Sequence, residues 1–411
     1  MADSRPPGVL SRELVFSLYL PATLLALGQS MVAPVIPGLT KTFGIGVDAA
    51  SLVFVAFSAG ALVATFPAGY LMDKIGRRPV LLAGPLLTAI GSLMTPFSQT
   101  FIELLFWRFV TGAATQLWQQ GRVLVIADTA AEDQRARQMQ WMVGMTRAGQ
   151  LFGPTVGGIM AAGFGLWVPF AIHALLTILA VIPAYRLIQE TAPAKRRKSG
   201  DTGDTKEADA EGWGPVITYM LTFQIVVFLV IQVLAQLCRG GQDQGSLNLY
   251  AVYAYDMGPG ELGILNTIAV LFGIPVPFLT GYLMDRFGRR AVIAPGFAAY
   301  AIAVVLMSLS AFYPLPMSYF IATYVLVQAT AGTTGGTMQV LGADLSPREN
   351  RGRFFAIWRT IAQLGATVAP AMYGLLAEHA GFGVAFLYLA LCAIGVVLGL
   401  SRVLGDTQAK R

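Results

Sequence analysis

The stretch Gly69-Tyr-Leu-Met-Asp73-Lys-Ile-Gly76-Arg77-Arg78 recurs 212 positions later as Gly281-Tyr-Leu-Met-Asp285-Arg-Phe-Gly288-Arg289-Arg290. Each copy closes a long apolar run with an acid, and a glycine and two arginines follow. Two such copies at one offset indicate a chain built from two homologous halves.

A fainter repeat supports the same division. It consists of an acid followed by arginines seven and nine residues later, and its members are Asp128, Arg135 and Arg137 in the first half and Asp344, Arg351 and Arg353 in the second. Two repeats in the same orientation are typical of secondary transporters.

The composition identifies a membrane protein. Of 411 residues, 55% are hydrophobic and 12% are charged, and the mean hydropathy is +0.63. Soluble domains carry roughly 25% charged residues. A cytosolic enzyme, a secreted disulfide scaffold and a nucleic-acid module are therefore excluded.

Apolar runs long enough to cross a bilayer as helices predict twelve spans. They fall at about 14–40, 49–72, 79–98, 102–127, 138–162, 165–185, 226–252, 260–284, 291–312, 316–342, 354–377 and 382–401. The predicted fold is an all-α membrane protein with two pseudo-symmetric six-helix bundles. The predicted divisions are bundles at 1–189 and 214–411, joined by a polar cytoplasmic linker at 190–213.

Basic residues set the predicted orientation. With both termini inside, the inner loops hold 22 of the 28 lysines and arginines, and the outer loops hold Lys41 alone. Such asymmetry follows the positive-inside rule. We therefore expect an integral protein of the plasma (inner) membrane with both termini cytoplasmic.

The doubled loop motif resembles that of the major facilitator superfamily, and the resemblance covers nearly the whole chain. Span 5 is similar to the motif of the family's antiporters, especially the twelve-span drug:proton group, and span 4 carries Arg108-Phe-Val-Thr111-Gly112, similar to a further family motif. The glycines of span 5 also share a helical face and permit close backbone approach. The motif residues of span 5 are Gly149, Gly153, Pro154, Gly157 and Gly158.

The resemblance implies a conformational latch at the cytoplasmic side. Each loop aspartate would lie against a helix N-terminus of the opposite half, where the helix dipole favours an anion. Arg77 would pair with Asp128, and Arg289 with Asp344. The alternative is that these arginines only set topology. The latch residues are Gly69, Asp73, Arg77, Asp128, Gly281, Asp285, Arg289 and Asp344.

Charged residues inside the predicted spans are candidates for function, because a charge at mid-bilayer costs at least roughly 2.5–3.5 kcal/mol. Arg239 and Asp243 lie four apart on span 7, hence on one face, beside glycines that predict a helix break. We expect Asp243 to carry the coupling proton, with Arg239 and Arg108 assisting. A permanent structural ion pair is the alternative.

The remaining polar residues of the spans predict a cavity that is positive overall and suits an anionic or zwitterionic amphipathic substrate. For Arg122, a snorkelling side chain is the alternative to ligand contact, and for Arg147 the alternatives are snorkelling and contacts between the halves. The candidate cavity residues are Arg122, Arg147, Gln116, Gln119 and Gln242. His173 and His379 stand alone in the sequence, and no role follows for them.

The predicted function is a proton-coupled antiporter that exports small amphipathic molecules by alternating access, of the multidrug efflux type. The alternative is a proton symporter that imports a small organic anion, and a membrane-embedded enzyme or sensor is a minor alternative. We expect a monomer in the lipid bilayer that uses protons as coupling ion. No enzymatic activity, cofactor, metal or nucleic-acid partner is predicted.

Overall fold

The computed structural model describes residues 14–129, 132–187, 214–243, 245–288, 290–334, 337–347 and 351–403. Every regular element within these ranges is a helix, which confirms the all-α prediction. Seven helical segments in the described ranges are long and apolar enough to cross a bilayer, and two shorter apolar helices accompany them.

Each of the twelve predicted runs consists mainly of one or two helices in its described part. Those of the first half are Leu20–Val32 with Ile36–Thr42, Val47–Ile75, Arg77–Met94, Phe101–Thr129, Glu132–Phe164 and Val168–Leu187. Those of the second half are Phe223–Asp243 with Ser246–Tyr255, Pro259–Gly273 with Pro275–Phe287, Arg290–Phe312, Met317–Thr334 with Thr337–Asp344, Arg351–Ala380 and Phe382–Val403. A π-helical segment, Val15–Tyr19, precedes the first helix, and a short helix, Gly214–Met220, precedes span 7.

Several predicted spans consist of two helices rather than one. Span 1 is interrupted after Val32, where Pro34 follows, and span 8 is interrupted between Gly273 and Pro275. Proline lacks an amide hydrogen and disfavours helical geometry in the residue before it. The break predicted in span 7 is confirmed: one helix ends at Asp243, and the next begins after Gly245, whose φ is +91°.

The chain divides into two compact units. The first comprises Met1–Ala192 with Gln244–Leu271, and the second comprises Pro193–Asp243 with Phe272–Arg411. The second helix of span 7 and the first part of span 8 therefore group with spans 1–6. The predicted linker lies outside the described residues, and the division into bundles at 1–189 and 214–411 stays a prediction.

Glycines at the 212-residue offset pack in the same way within each unit. A Cβ on Gly84 would lie 3.0 Å from the Ala114 carbonyl oxygen of span 4, and one on Gly296 would lie 2.8 Å from Thr333 Oγ1 of span 10. Small residues let helix backbones approach closely in membranes, where water does not drive association. The internal repeat thus extends from the loop motif to helix packing.

The loop motif ends its helix through a glycine in each unit. Gly76 has φ +108° and ψ +162°, and Gly288 has φ +85° and ψ +159°. This region of backbone space is essentially restricted to glycine, because a Cβ would clash there. The motif's glycine therefore turns the chain from span 2 into span 3, and from span 8 into span 9.

We predict that Gly76→Ala destabilises the protein by about 1–3 kcal/mol, because alanine is strained at this φ. The measurement is the thermal denaturation midpoint of detergent-purified protein. Gly163→Ala is the matched control, since a Cβ there meets no atom within 4 Å and the helix is regular. Equal midpoints for the two variants would contradict the assignment of strain to Gly76.

Candidate functional site

Polar side chains of span 4 face spans 2 and 5 within the first unit. Gln116 Nε2 donates to Thr65 Oγ1 at 3.3 Å, and Arg122 Nη1 donates to Thr146 Oγ1 at 3.3 Å. Gln119 lies between them along the helix and is exposed. The structure therefore ties Gln116 and Arg122 to neighbouring helices and leaves Gln119 accessible.

Arg108 is the most buried charged residue among the described positions of span 4. Its side chain is 8% exposed, and its guanidinium carbon lies 4.8 Å from the centroid of the Phe57 ring. The Nε atom has no hydrogen-bond partner among the described residues. A cation over an aromatic face is stabilised by the ring quadrupole, but this contact leaves the in-plane donors unused.

Sequence reasoning missed a buried histidine of the first unit. His173 of span 6 is 4% exposed, its Nδ1 lies 3.0 Å from Ser92 Oγ of span 3, and its ring packs against Gly28 of span 1. Nothing in the sequence indicates this cluster, because Gly28, Ser92 and His173 are 64 to 145 residues apart and follow no motif.

The other arginines of the spans have different surroundings. Arg147 is exposed, and its Nη1 donates to Gln150 Oε1 on the same helix at 3.3 Å. Arg359 is also exposed on span 11. Both are accessible on the described helices, and neither is buried as Arg108 is.

Span 5 lies against span 1 along its glycine face. A Cβ on Gly149 would lie 2.5 Å from the Thr23 carbonyl oxygen, and one on Gly153 or Gly157 would overlap Ser30 or Met31 respectively. Only glycine at these three positions allows the backbones to lie so close.

A second face of span 5 contacts the first helix of span 8 within the first unit. A Cβ on Gly158 would overlap the Pro259 carbonyl oxygen. Thr155 Oγ1 donates to Thr267 Oγ1 at 2.7 Å, and the Thr155 amide donates to the same oxygen at 3.2 Å. Pro154 removes one bond of the helix ladder, and Thr267 satisfies the amide next to it.

An ion pair links the second helix of span 1 to the end of span 7. The Lys41 ammonium donates to Asp256 Oδ1 and also to the Val252 carbonyl oxygen at 3.4 Å. Tyr253 donates its hydroxyl hydrogen to the Ile45 carbonyl oxygen at 3.2 Å. Lys41, which the sequence identified only as the one basic residue of the outer loops, thus has a structural partner.

Other predicted site residues are only partly described. Arg77 is buried and donates to the Met72 carbonyl oxygen at 3.3 Å, and a Cβ on Gly69 or Gly281 meets nothing within 4 Å. Arg239 is half-buried on the last described turns of its helix. The predictions for Arg289, and for the side chains of Asp73, Asp128, Gln242, Asp243, Asp285 and Asp344, lie outside what the structure describes.

A family model for the Major Facilitator Superfamily matches residues 18–253 and 229–410. The chain belongs to this superfamily. This membership confirms the predicted all-α membrane fold and the predicted resemblance to the superfamily. The protein is an integral membrane transporter of the major facilitator type.

Relatives and solved structures agree with this membership. Quinolone resistance protein NorA of Staphylococcus aureus (strain MRSA252) is 25% identical over 276 residues, 66% of this chain and 66% of NorA, so the match spans just under two thirds of that relative. The uncharacterized MFS-type transporter MJ1560 of Methanocaldococcus jannaschii is 22% identical over 94% of this chain and 96% of its own length.

Two solved transporter structures share the fold. A D-xylose-proton symporter superposes with a TM-score of 0.74 at 16% identity, covering 95% of this chain and 96% of its own. A POT family transporter in complex with a thioalcohol-conjugated peptide superposes with a TM-score of 0.77 at 13% identity, covering 96% of each chain. At these identities the likeness shows the major facilitator fold alone.

We predict that Gly157→Ala destabilises the protein by about 1–3 kcal/mol, because the added methyl group forces spans 1 and 5 apart. The measurement is the fraction of monodisperse protein after heating in detergent. Gly144→Ala on the same helix is the control, since a Cβ there meets nothing within 4 Å. If both variants behave like the parent protein, the close packing of spans 1 and 5 is wrong.

We predict that the Asp256 carboxylate, which pairs with Lys41, stays ionised near neutral pH. The hydrogen bond from Lys41, and then its charge, hold the pKa of the Asp256 carboxyl below its ordinary value of 3.8. A carboxylate with a lowered pKa stays ionised until the pH falls through that pKa. Asp256→Asn should therefore change the transport rate by the same factor at pH 8 and pH 5.5. A factor that differs between these two pH values would contradict the prediction.

Proposed function

We propose that this transporter is a proton-coupled antiporter that exports small amphipathic molecules across the plasma membrane. It acts as a monomer with both termini in the cytoplasm. The observation that carries the proposal is the glycine motif of span 5, which resembles that of antiporters and whose glycines contact span 1 and the start of span 8. The likeness to a quinolone resistance protein supports export of drug-like molecules.

Alternating access requires contacts that form in one state and break in another. The Lys41–Asp256 pair and the Thr155–Thr267 hydrogen bond connect spans 1 and 5 to the outer parts of spans 7 and 8. Exposed ion pairs and single hydrogen bonds contribute little to stability, so substrate binding energy suffices to break them. We assign them to a gate that opens when the substrate leaves toward the outside.

Proton coupling requires a group that gains and loses a proton during the cycle. Asp243 is the candidate, four residues after Arg239, at the point where the helix of span 7 ends. Interrupted helices at this depth are where carriers place coupling-ion sites. A neighbouring arginine favours the charged carboxylate, and a dry cavity favours the neutral acid. Movement of Arg239 away from Asp243 would therefore make Asp243 bind a proton, and its return would make Asp243 release it.

The test compares Asp243→Asn with Glu378→Gln, which removes an exposed carboxylate at the outer end of span 11. In proteoliposomes, Asp243→Asn should abolish substrate movement driven by a proton gradient and retain substrate exchange without a gradient. Glu378→Gln should retain both. Loss of both activities in Asp243→Asn would indicate a structural ion pair, and retained proton-driven movement would exclude Asp243 as the proton carrier.

Import of a small organic anion together with protons is the second candidate. The buried positive charge of Arg108 favours it, because this charge suits an anionic substrate. The two candidates differ in the direction of proton movement when substrate is added. An exporter of the antiport type moves protons against the substrate flow, and a symporter moves them with it.

A further inference from the structure

One face of span 2 is exposed over the second half of its helix. This face, here called the Tyr70 face, comprises Val63, Pro67, Tyr70 and Lys74, which follow one another at intervals of one helical turn. Val63 is 58% exposed, and Tyr70 is 63% exposed. The face is therefore apolar along most of its length, continues in an aromatic ring and ends in a cation at the last turn of the helix.

Span 8 carries the equivalent face 212 positions later. This Tyr282 face comprises Pro275, Leu279, Tyr282 and Arg286, and all four residues are exposed. Its order is the same: apolar residues, then a tyrosine, then a cation in the last turn of the helix. The repeated loop motif thus includes a repeated exposed face in each unit.

In each unit the cation contacts the tyrosine that lies one turn before it. Lys74 Nζ lies 5.4 Å from the centroid of the Tyr70 ring, which is the range of a cation–π contact. Arg286 Nη1 donates a hydrogen bond to the Tyr282 hydroxyl oxygen at 3.3 Å. Each tyrosine therefore holds the charged group next to the exposed apolar part of its own helix.

The two cations keep hydrogen-bond donors for an external anion. The ion pair seen among the described residues joins Lys41 to Asp256 and involves neither Lys74 nor Arg286. An ammonium group has three N–H donors and a guanidinium has five, so the contacts with tyrosine leave most of these donors unused. Both side chains are exposed, and a bound anion can reach them without any rearrangement of the helices.

The surroundings of the two faces indicate which anion they bind. An exposed apolar face of a membrane span contacts acyl chains, and tyrosine is enriched at the membrane–water interface. The asymmetry of basic residues predicts that these ends of spans 2 and 8 lie at the cytoplasmic surface, where basic side chains attract anionic phospholipids. A phospholipid fits the whole face, because it joins an anionic headgroup to apolar chains, whereas free phosphate fits the cation alone.

We propose that the Tyr70 face and the Tyr282 face each bind one anionic phospholipid of the cytoplasmic leaflet. The lipid phosphate accepts hydrogen bonds from Lys74 or Arg286, and the acyl chains lie along the apolar part of the face. A zwitterionic phospholipid offers the same phosphate and chains, but its own ammonium group offsets the attraction to the cation. The faces therefore select a lipid by its net charge, and this selection is independent of the substrate, the coupling ion and the direction of transport.

The test is native mass spectrometry of the full-length protein in detergent, titrated with phosphatidylglycerol or with phosphatidylcholine of the same acyl chains. The parent protein should bind the first two phosphatidylglycerol molecules about fivefold more tightly than phosphatidylcholine, because a basic residue near the surface attracts an anionic lipid by about this factor. Inorganic phosphate at the same concentration should not displace the lipid, since it lacks acyl chains. Equal affinities for the two lipids, or displacement by inorganic phosphate, would overturn the proposal.

Variants of the two cations locate the bound lipid. The double variant Lys74→Gln, Arg286→Gln should lower phosphatidylglycerol affinity about fivefold at each site. It should leave phosphatidylcholine affinity unchanged, which also shows that the fold is retained. Arg359→Gln removes the same charge from an exposed position on span 11 and is the matched control, for which both affinities should stay at the parent values. Unchanged phosphatidylglycerol binding in the double variant, an equal loss of both lipids, or an equal loss in the control would overturn the proposal.

Discussion

The lack of water inside the bilayer is the constraint on which this structure depends. Each backbone amide must find its partner within the protein, which leaves helices as the spanning element. With no water to drive association, the helices are held by close packing of small residues. Gly149, Gly153 and Gly157 allow close contact between spans 5 and 1, and Gly84 allows close contact between spans 3 and 4. The breaks at Gly76 and Gly288 occur in a backbone conformation essentially restricted to glycine, and the break at Gly245 occurs at a positive φ that favours glycine.

The sequence was sufficient to predict most of the fold, because the deciding signals are local or repeated. The lengths of the apolar runs predicted the spans, and the doubled loop motif indicated two related halves. The glycines beside Asp243 indicated the break in span 7. The interruption after Val32 was not foreseen, although Pro34 is a visible cause. Apolar composition alone does not distinguish one long helix from two short ones.

The candidate site was predicted less completely. Arg108 was identified because a charged residue in an apolar run is conspicuous. His173, Ser92 and Thr267 were missed, since their importance arises from neighbours that lie on other helices and far away in sequence. Polar contacts between spans depend on how each helix is rotated, and weak amphipathicity in a membrane gives little indication of that rotation. The roles of Asp243, of the cytoplasmic latch and of the predicted cavity residues stay predictions.

Movement of one accessible position between the two sides of the membrane tests the alternating-access account most directly. The measurement is labelling of Gln119→Cys, in a background without Cys238 and Cys392, by a membrane-impermeant maleimide applied from one side at a time. The account predicts labelling from both sides, with the ratio of the two rates changed by substrate. Labelling from one side only, at a rate that substrate does not change, would contradict it.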